Sequence, residues 1–169
     1  GDLTCRGWLY RPENSTGPVP IIVMSHGVSA VIEQHLAGFA ERFAREGYAA
    51  LVFDYRFLGS SAGEPRGQAI PHLQHEDIRA ALTFVSTLPD IDASRIALWG
   101  TSFSGGHALF VGALDPRVKT VAVQVPALNI PHALIALISR PVFNGLLGML
   151  ANDHAVRNAG GERGWLPVV

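Results

Sequence analysis

The chain has little cysteine, little charge and no long apolar run. Cys5 is its only cysteine, so an internal disulfide is impossible and the redox compartment stays open. Charged residues are 16% of the 169, against roughly 25% in an ordinary globular domain. Hydrophobic residues are 48%, and a chain so poor in charge is expected to contain strands that are buried on both faces of a sheet.

The same shortages exclude several kinds of partner. A formal net charge of −1 gives no basic excess with which to bind nucleic acid or an anionic membrane surface. The apolar run Ala133 to Ile138 is far shorter than the roughly 20 residues of a membrane helix, so we predict no membrane span. We expect a cytoplasmic protein that acts on a small molecule. A start at Gly1 is compatible with a leader peptide that has been removed. A homo-oligomer is also compatible with this sequence.

Strand-like and helix-like segments alternate along the first three quarters of the chain. Trp8 to Pro12 has the character of an antiparallel strand followed by a loop. Four mainly apolar runs, each with at least one β-branched residue, predict buried strands: Pro20–Met24, Tyr48–Phe53, Arg95–Trp99 and Val118–Val125. Between them, apolar residues with helical spacing predict helices near 36–44, 76–88 and 102–115. This order predicts an α/β fold with a doubly wound, mostly parallel sheet.

The pattern changes after Pro126. Residues 130 to 151 are apolar and helix-like, although Pro131 and Pro141 interrupt them, and residues 152 to 169 look polar and irregular. We therefore expect two parts. Residues 1–129 would form the N-terminal part of the core, and residues 130–169 the start of a helical cap or insertion.

The segment Arg95-Ile-Ala-Leu-Trp-Gly-Thr-Ser-Phe-Ser-Gly-Gly-His107 combines an apolar strand, a turn of tiny residues and an apolar helix. A nucleophilic serine in a strained strand-to-helix turn, called a nucleophile elbow, needs small residues two positions before and two after it, so that the backbones can approach. Gly100 and Ser104 occupy those positions around Ser102. Ser104 also has small neighbours, but Ser102 follows the strand end at the right distance and is our predicted nucleophile. The alternative is a tight turn without chemistry.

A second loop, Ser25-His26-Gly27-Val28, follows directly after a predicted strand. Acyl transfer requires two backbone N–H groups that stabilise the oxyanion, one from the residue after the nucleophile and one from such a loop. We predict that Phe103 and Val28 supply them. Gly27 permits the turn, and His26 is expected to shape the loop rather than to transfer protons.

Charged residues after the third predicted strand have a structural interpretation. We expect Asp54 and Arg56 to form a partly buried pair that braces their loop, although they could also orient a substrate. Asp77, Asp92 and Asp115 are expected to cap a helix start, form a turn and cap a helix end, respectively.

With these motifs in place, the chain resembles the α/β-hydrolase superfamily from about Trp8 to Asn129. It is similar to the dienelactone-hydrolase-like and Xaa-Pro-dipeptidyl-peptidase-like branches and to related acyltransferases and thiohydrolases. The segments that carry the resemblance are Ser25-His-Gly27, Gly47-Tyr-Ala-Ala-Leu-Val-Phe-Asp-Tyr-Arg56, Gly59-Ser-Ser-Ala-Gly63 and Trp99-Gly-Thr-Ser-Phe-Ser-Gly-Gly106. The resemblance implies an eight-stranded sheet and a serine, an acid and a histidine in that chain order. It implies no metal and no organic cofactor.

The acid and the histidine of such a triad are not found in the chain. Pro126 to Asn129 contains no carboxylate, and His132 and His154 lie in the expected cap segment. The remaining candidate histidines precede or share the helices around the elbow, too early for the order that the resemblance implies: His72, His75 and His107. We therefore expect the acid and base beyond Val169, with C-terminal strands missing from this chain and weak activity for the chain alone. A short hydrolase-derived protein without a triad is the alternative.

The function that these features predict is serine-dependent hydrolysis of an ester, thioester or related acyl bond. Hydrolysis would proceed through an acyl-enzyme, and acyl transfer would use the same intermediate. The sequence does not distinguish hydrolysis from acyl transfer. A non-catalytic binding protein on a hydrolase scaffold is the alternative of another class, since folds outlive their chemistry.

Overall fold

A computed structural model describes residues 3–165. The chain divides into two compact units, residues 1–128 and residues 129–169. The described part of the first unit contains a five-stranded sheet and three helices, and that of the second contains two helices.

The sheet is mixed but mostly parallel. Its strands are β1 (Gly7–Tyr10), β2 (Val19–Ser25), β3 (Ala49–Phe53), β4 (Ile91–Thr101) and β5 (Val118–Gln124). They lie in the order β1-β3-β2-β4-β5; β1 is antiparallel to β3, and all the other neighbours are parallel. The predicted antiparallel first strand and parallel core are confirmed.

Helices cover both faces of this sheet. They are α1 (Leu36–Arg45), α2 (Pro71–Ser86) and α3 (Phe103–Leu114). The fully buried strand β3 shows the layering, because its residues alternate between the faces. Ala49, Leu51 and Phe53 share a core cluster with α2 and α3, whereas Ala50 and Val52 share another with α1. The predicted doubly wound α/β fold is therefore confirmed.

The start of α2 differs from the prediction. The helix begins at Pro71, five residues before the expected start at Glu76. Proline suits a first helical turn, because its missing N–H would have no helical acceptor there and its φ is already helical. Asp77 is consequently an interior, buried helix residue, and its predicted role as an N-cap is wrong.

The second unit contains α4 (Ile130–Leu137) and α5 (Arg140–Asn158). Pro131 and Pro141 lie in the first turns of these helices and so begin them rather than interrupt them. Irregular structure was expected from residue 152, but α5 continues to Asn158, so the expectation is wrong for residues 152–158. A hydrogen bond of 2.9 Å from Arg157 to Asp153 stabilises the last turns of the helix. The expectation for 166–169 lies outside the described residues.

Candidate active site

Ser102 is the only residue between β4 and α3, and its backbone is strained. Its φ of 54° and ψ of −118° lie in a region that residues other than glycine rarely occupy. Three hydrogen bonds hold it there. Its N–H donates to Gln124 O at 2.9 Å, and its carbonyl accepts from Gly105 at 3.1 Å and from Ala127 at 2.8 Å. The chain thus makes a sharp, fixed turn that leaves the Ser102 side chain partly exposed.

Small residues make this turn sterically feasible. A Cβ atom at Gly100 would lie 2.3 Å from Ser104 O and 2.6 Å from Ser104 C, distances that no side chain tolerates. Ser104 is fully buried; its Oγ donates to Ser25 O at 2.7 Å and accepts from Thr101 N at 3.0 Å. Gly100 and Ser104 therefore join the ends of β4 and β2 to the first turn of α3. The Ser104 hydroxyl is occupied by hydrogen bonds within this junction.

The loop after β2 lies directly against Ser102. A Cβ atom at Gly27 would be 3.4 Å from Ser102 Cβ and 3.8 Å from Ser102 Oγ. Val28, the next residue, is 48% exposed. The two segments that the sequence predicted to form one site, around Ser102 and around Gly27, are thus brought together by the parallel pairing of Ser25 with Gly100.

His26 lies inside the loop, buried to 1% exposure. Its Nδ1 donates to Gly27 O at 3.0 Å, its Nε2 lies 3.5 Å from Asp54 Oδ1, and its ring meets Tyr55 edge-on at a centroid distance of 5.0 Å. These contacts fit a residue that shapes the loop, which stays a prediction.

Asp54 connects three segments behind the site. Its carboxylate accepts from Ile32 N and from Ser60 N, each at 2.9 Å, and from Ser60 Oγ at 3.1 Å. Burial alone raises the pKa of Asp54, but these donors and the adjacent His26 ring outweigh burial, so the pKa lies below its ordinary value. Asp54 is therefore an ionised structural carboxylate.

Arg56 pairs with Asp77 and not with Asp54, so the predicted pair is wrong. Arg56 Nε donates to Asp77 Oδ1 at 2.7 Å, and Arg56 N donates to Asp77 Oδ2 at 3.0 Å. The partner comes from α2, 21 residues further along the chain, because that helix packs beside the end of β3. Asp115 does follow the end of α3, where it binds Arg117, and Asp92 accepts from Ser94 N as a turn-forming aspartate does.

A chain of polar side chains that the sequence did not predict lies behind Phe103. His75 Nε2 donates to His107 Nδ1 at 2.8 Å, and His107 Nε2 donates to Gln74 Oε1 at 2.9 Å. The Phe103 ring packs on His107 at a centroid distance of 4.4 Å. Burial, followed by the influence of His75, lowers the pKa of His107 to about 4. Two histidines 32 residues apart on different helices form no local pattern, so sequence inspection does not pair them.

Neither an ionised Cys5 thiolate nor a metal cluster is found in the described part of the chain. Burial, reinforced by Asp77, raises the pKa of the Cys5 thiol to about 11, so it stays protonated at neutral pH. No group of three or more His, Cys, Asp or Glu residues among residues 3–165 has the geometry to hold a metal ion. In the same residues, no helix combines the length and apolarity that crossing a membrane requires.

The fold agrees with what comparison with known proteins finds. The BD-FAE family model matches residues 8–132, from the first strand to the start of α4. The chain belongs to the BD-FAE family. This BD-FAE chain is also similar to the α/β-hydrolase GrgF from Penicillium sp. sh18, with a TM-score of 0.78 and 30% identity over 99% of this chain and 55% of that one. The predicted α/β-hydrolase resemblance is confirmed.

Several relatives of this BD-FAE chain have named activities. It is 46% identical to the quorum-quenching protein AidA of Acinetobacter baumannii over 74% of this chain and 41% of AidA. It is 41% identical to a thiohydrolase of Eupenicillium brefeldianum over 73% of this chain and 39% of that protein. It is 34% identical to the polyketide transferase af380 of Aspergillus fumigatus over 99% of this chain and 54% of that protein. The chain thus spans between 39% and 54% of the length of these relatives.

Proposed function

We propose that the protein hydrolyses an ester, thioester or related acyl bond through an acyl-enzyme formed on Ser102. The observation that carries this proposal is the backbone of Ser102, held at φ 54° and ψ −118° between a strand and a helix, with its side chain partly exposed. Strain of this kind persists only where surrounding contacts enforce it, and it concentrates at reactive residues. Relatives named for thiohydrolase and transferase activity support acyl chemistry on this fold.

The proposed reaction begins with attack of Ser102 Oγ on the carbonyl carbon of the substrate. The serine proton passes to a histidine that we expect beyond Val169, oriented by an acid also expected there. The C–O or C–S bond to the leaving group then breaks, the alcohol or thiol takes up the proton, and the acyl group stays on Ser102. Water attacks this ester in the second half, again with base assistance, and releases the free acid.

The backbone N–H groups of Phe103 and Val28 are the proposed oxyanion donors. Phe103 is the first residue of α3, where N–H groups have no acceptor within the helix and the helix dipole favours negative charge. Val28 follows Gly27, the residue at which a Cβ atom would contact Ser102. Loss of one such donor in an acyl-transfer enzyme typically costs about 10²-fold to 10³-fold in rate.

The test is labelling of the full-length natural protein with a fluorophosphonate, followed by intact mass measurement. We expect one adduct per chain, no adduct in Ser102→Ala, and a fall in turnover of acyl esters by about 10⁴-fold or more in that variant. Ser94→Ala is the matched control, because Ser94 is an exposed serine at the other end of β4. It should be labelled like the parent. An adduct that persists in Ser102→Ala, or an unlabelled parent, would contradict the proposal.

Acyl transfer is the second candidate. It is favoured by one observation, the match of 99% of the chain to a polyketide transferase at 34% identity, which extends through α4 and α5. Both reactions share the acyl-enzyme and differ in whether water or another nucleophile attacks it. A non-catalytic binding role has no comparable support, since it leaves the strain at Ser102 unexplained.

A further inference from the structure

The loop after β5 is clamped to the elbow by Ser102 itself. Gln124 O accepts from the N–H of Ser102, and Ala127 N donates to the carbonyl of Ser102, at 2.9 and 2.8 Å. Both ends of the segment from Gln124 to Ala127 are therefore fixed to Ser102. Close packing reinforces the clamp, since a Cβ atom at Gly105 would lie 2.9 Å from the Cα of Pro126.

Val125 lies inside this clamp in an unfavourable backbone conformation. Its φ is +41°, where a β-branched side chain is a genuine outlier. Within residues 3–165 its side chain is 75% exposed, so burial in this part of the protein does not compensate for the strain. Glycine would fit this backbone at no steric cost. A strained, exposed valine at such a position calls for a role of the side chain itself.

The sheet register puts Val125 beside Ser102. Thr101 is paired with Gln124, so the residues that follow, Ser102 and Val125, leave the carboxyl edge of the sheet together. Since β4 lies between β2 and β5, the loop with Val28 flanks Ser102 on one side and Val125 flanks it on the other. Both valines are exposed, at 48% and 75%, and both are apolar. Ser102 therefore lies between two exposed apolar residues along the carboxyl edge of the sheet.

We infer that Val125 forms one apolar wall of the acyl-group pocket and limits the bulk of the acyl group that Ser102 accepts. This inference rests on the proposed function. A wall of this kind contacts the acyl chain next to the reacting carbonyl, where one methylene more or less changes kcat/KM by about 10-fold to 200-fold in a fitted pocket. The retained strain then has a reason, because glycine would relieve it but leave the pocket open.

The test measures kcat/KM for p-nitrophenyl acetate, butyrate and octanoate in the full-length natural protein. In Val125→Gly, the octanoate-to-acetate ratio should rise by about tenfold, because the wall is removed. In Val125→Leu, a bulkier wall should lower the ratio. The urea midpoint of Val125→Gly should be equal to or higher than that of the parent, since the positive φ no longer carries a penalty.

The matched control is Val123→Ala, two residues earlier on β5, where the side chain packs against the core. It should lower the urea midpoint and leave the acyl-length ratio unchanged. Unaltered ratios in both Val125 variants, with an active parent, would overturn this inference alone. A parent that turns over none of the three esters and resists the fluorophosphonate would overturn the proposed function, and this inference with it.

Discussion

Ser102 and Ser104 are two residues apart and differ in what surrounds their hydroxyl groups. The Ser104 hydroxyl is fully buried and hydrogen-bonded to the carbonyl of Ser25, so it stabilises the junction of two strands. Ser102 is partly exposed and lies beside Gly27. A nucleophile must reach its substrate, and of the two serines only Ser102 meets that condition, which supports the assignment proposed for it.

His107 is the residue from which a pH dependence of stability is expected. Its pKa is about 4 in the folded protein, against an ordinary value of 6.5, because burial disfavours the charged ring. Between these two values the unfolded chain binds more protons than the folded one. Lowering the pH through this window therefore favours unfolding, and the stability associated with neutral His107 is fully present only above about pH 6.5.

Urea unfolding of the parent and of His107→Gln at several pH values between 4 and 7.5 would check this, the range being set by the ordinary and folded pKa values of His107. The free energy of unfolding should fall less steeply with decreasing pH in the variant. His75→Gln should reduce the slope as well, because the pKa of His75 is also lowered, by burial first and then by Arg79. Parallel curves for the parent and both variants would show that this pair does not determine the acid sensitivity.

At the level of elements, the junction of β4 and α3 depends on the absence of a side chain at Gly100. In Gly100→Ala the new methyl group would lie 2.3 Å from Ser104 O, and a backbone atom cannot rotate away as a side chain does. We expect a loss of about 2 kcal/mol or more in the free energy of unfolding, together with loss of fluorophosphonate labelling as the elbow shifts.

Gly38→Ala is the control for this prediction. Gly38 lies in α1, and a Cβ atom there has no neighbour within 4 Å. Alanine favours a helix over glycine by about 0.5–1 kcal/mol, so this variant should be slightly more stable than the parent. An unchanged urea midpoint in Gly100→Ala would mean that the turn adapts and that the glycine is not required.

At the scale of the whole molecule, the choice between hydrolysis and transfer depends on which nucleophile reaches the acyl-enzyme. We expect hydrolysis: with a short acyl thioester and increasing butanol, the full-length natural protein should release free acid at an unchanged rate. Total turnover that rises in proportion to butanol, with the butyl ester as product, would identify a transferase instead. Ser102→Ala should form neither product, which separates enzymatic transfer from background reaction.

The sequence by itself determined the layered fold and the position of the elbow, because both follow from local patterns. Apolar runs such as that of β3 become buried strands where helices alternate with them. The turn around Ser102 depends on the sizes of its immediate neighbours. Nearby prolines and glycines likewise determine where helices begin and end. The periodicity alone indicated a start of α2 near residue 76, whereas the helix begins at Pro71.

Only the tertiary structure decided which distant side chains meet. Arg56 binds Asp77 rather than its neighbour Asp54, since the sheet order and the packing of α2 determine which carboxylate is within reach. The positive φ of Val125 is likewise invisible in the sequence, and the residues on either side of it, Gln124 and Ala127, are hydrogen-bonded to Ser102, more than 20 residues away. Local preferences specify elements, whereas long-range packing sets their contacts and so the geometry around the proposed nucleophile.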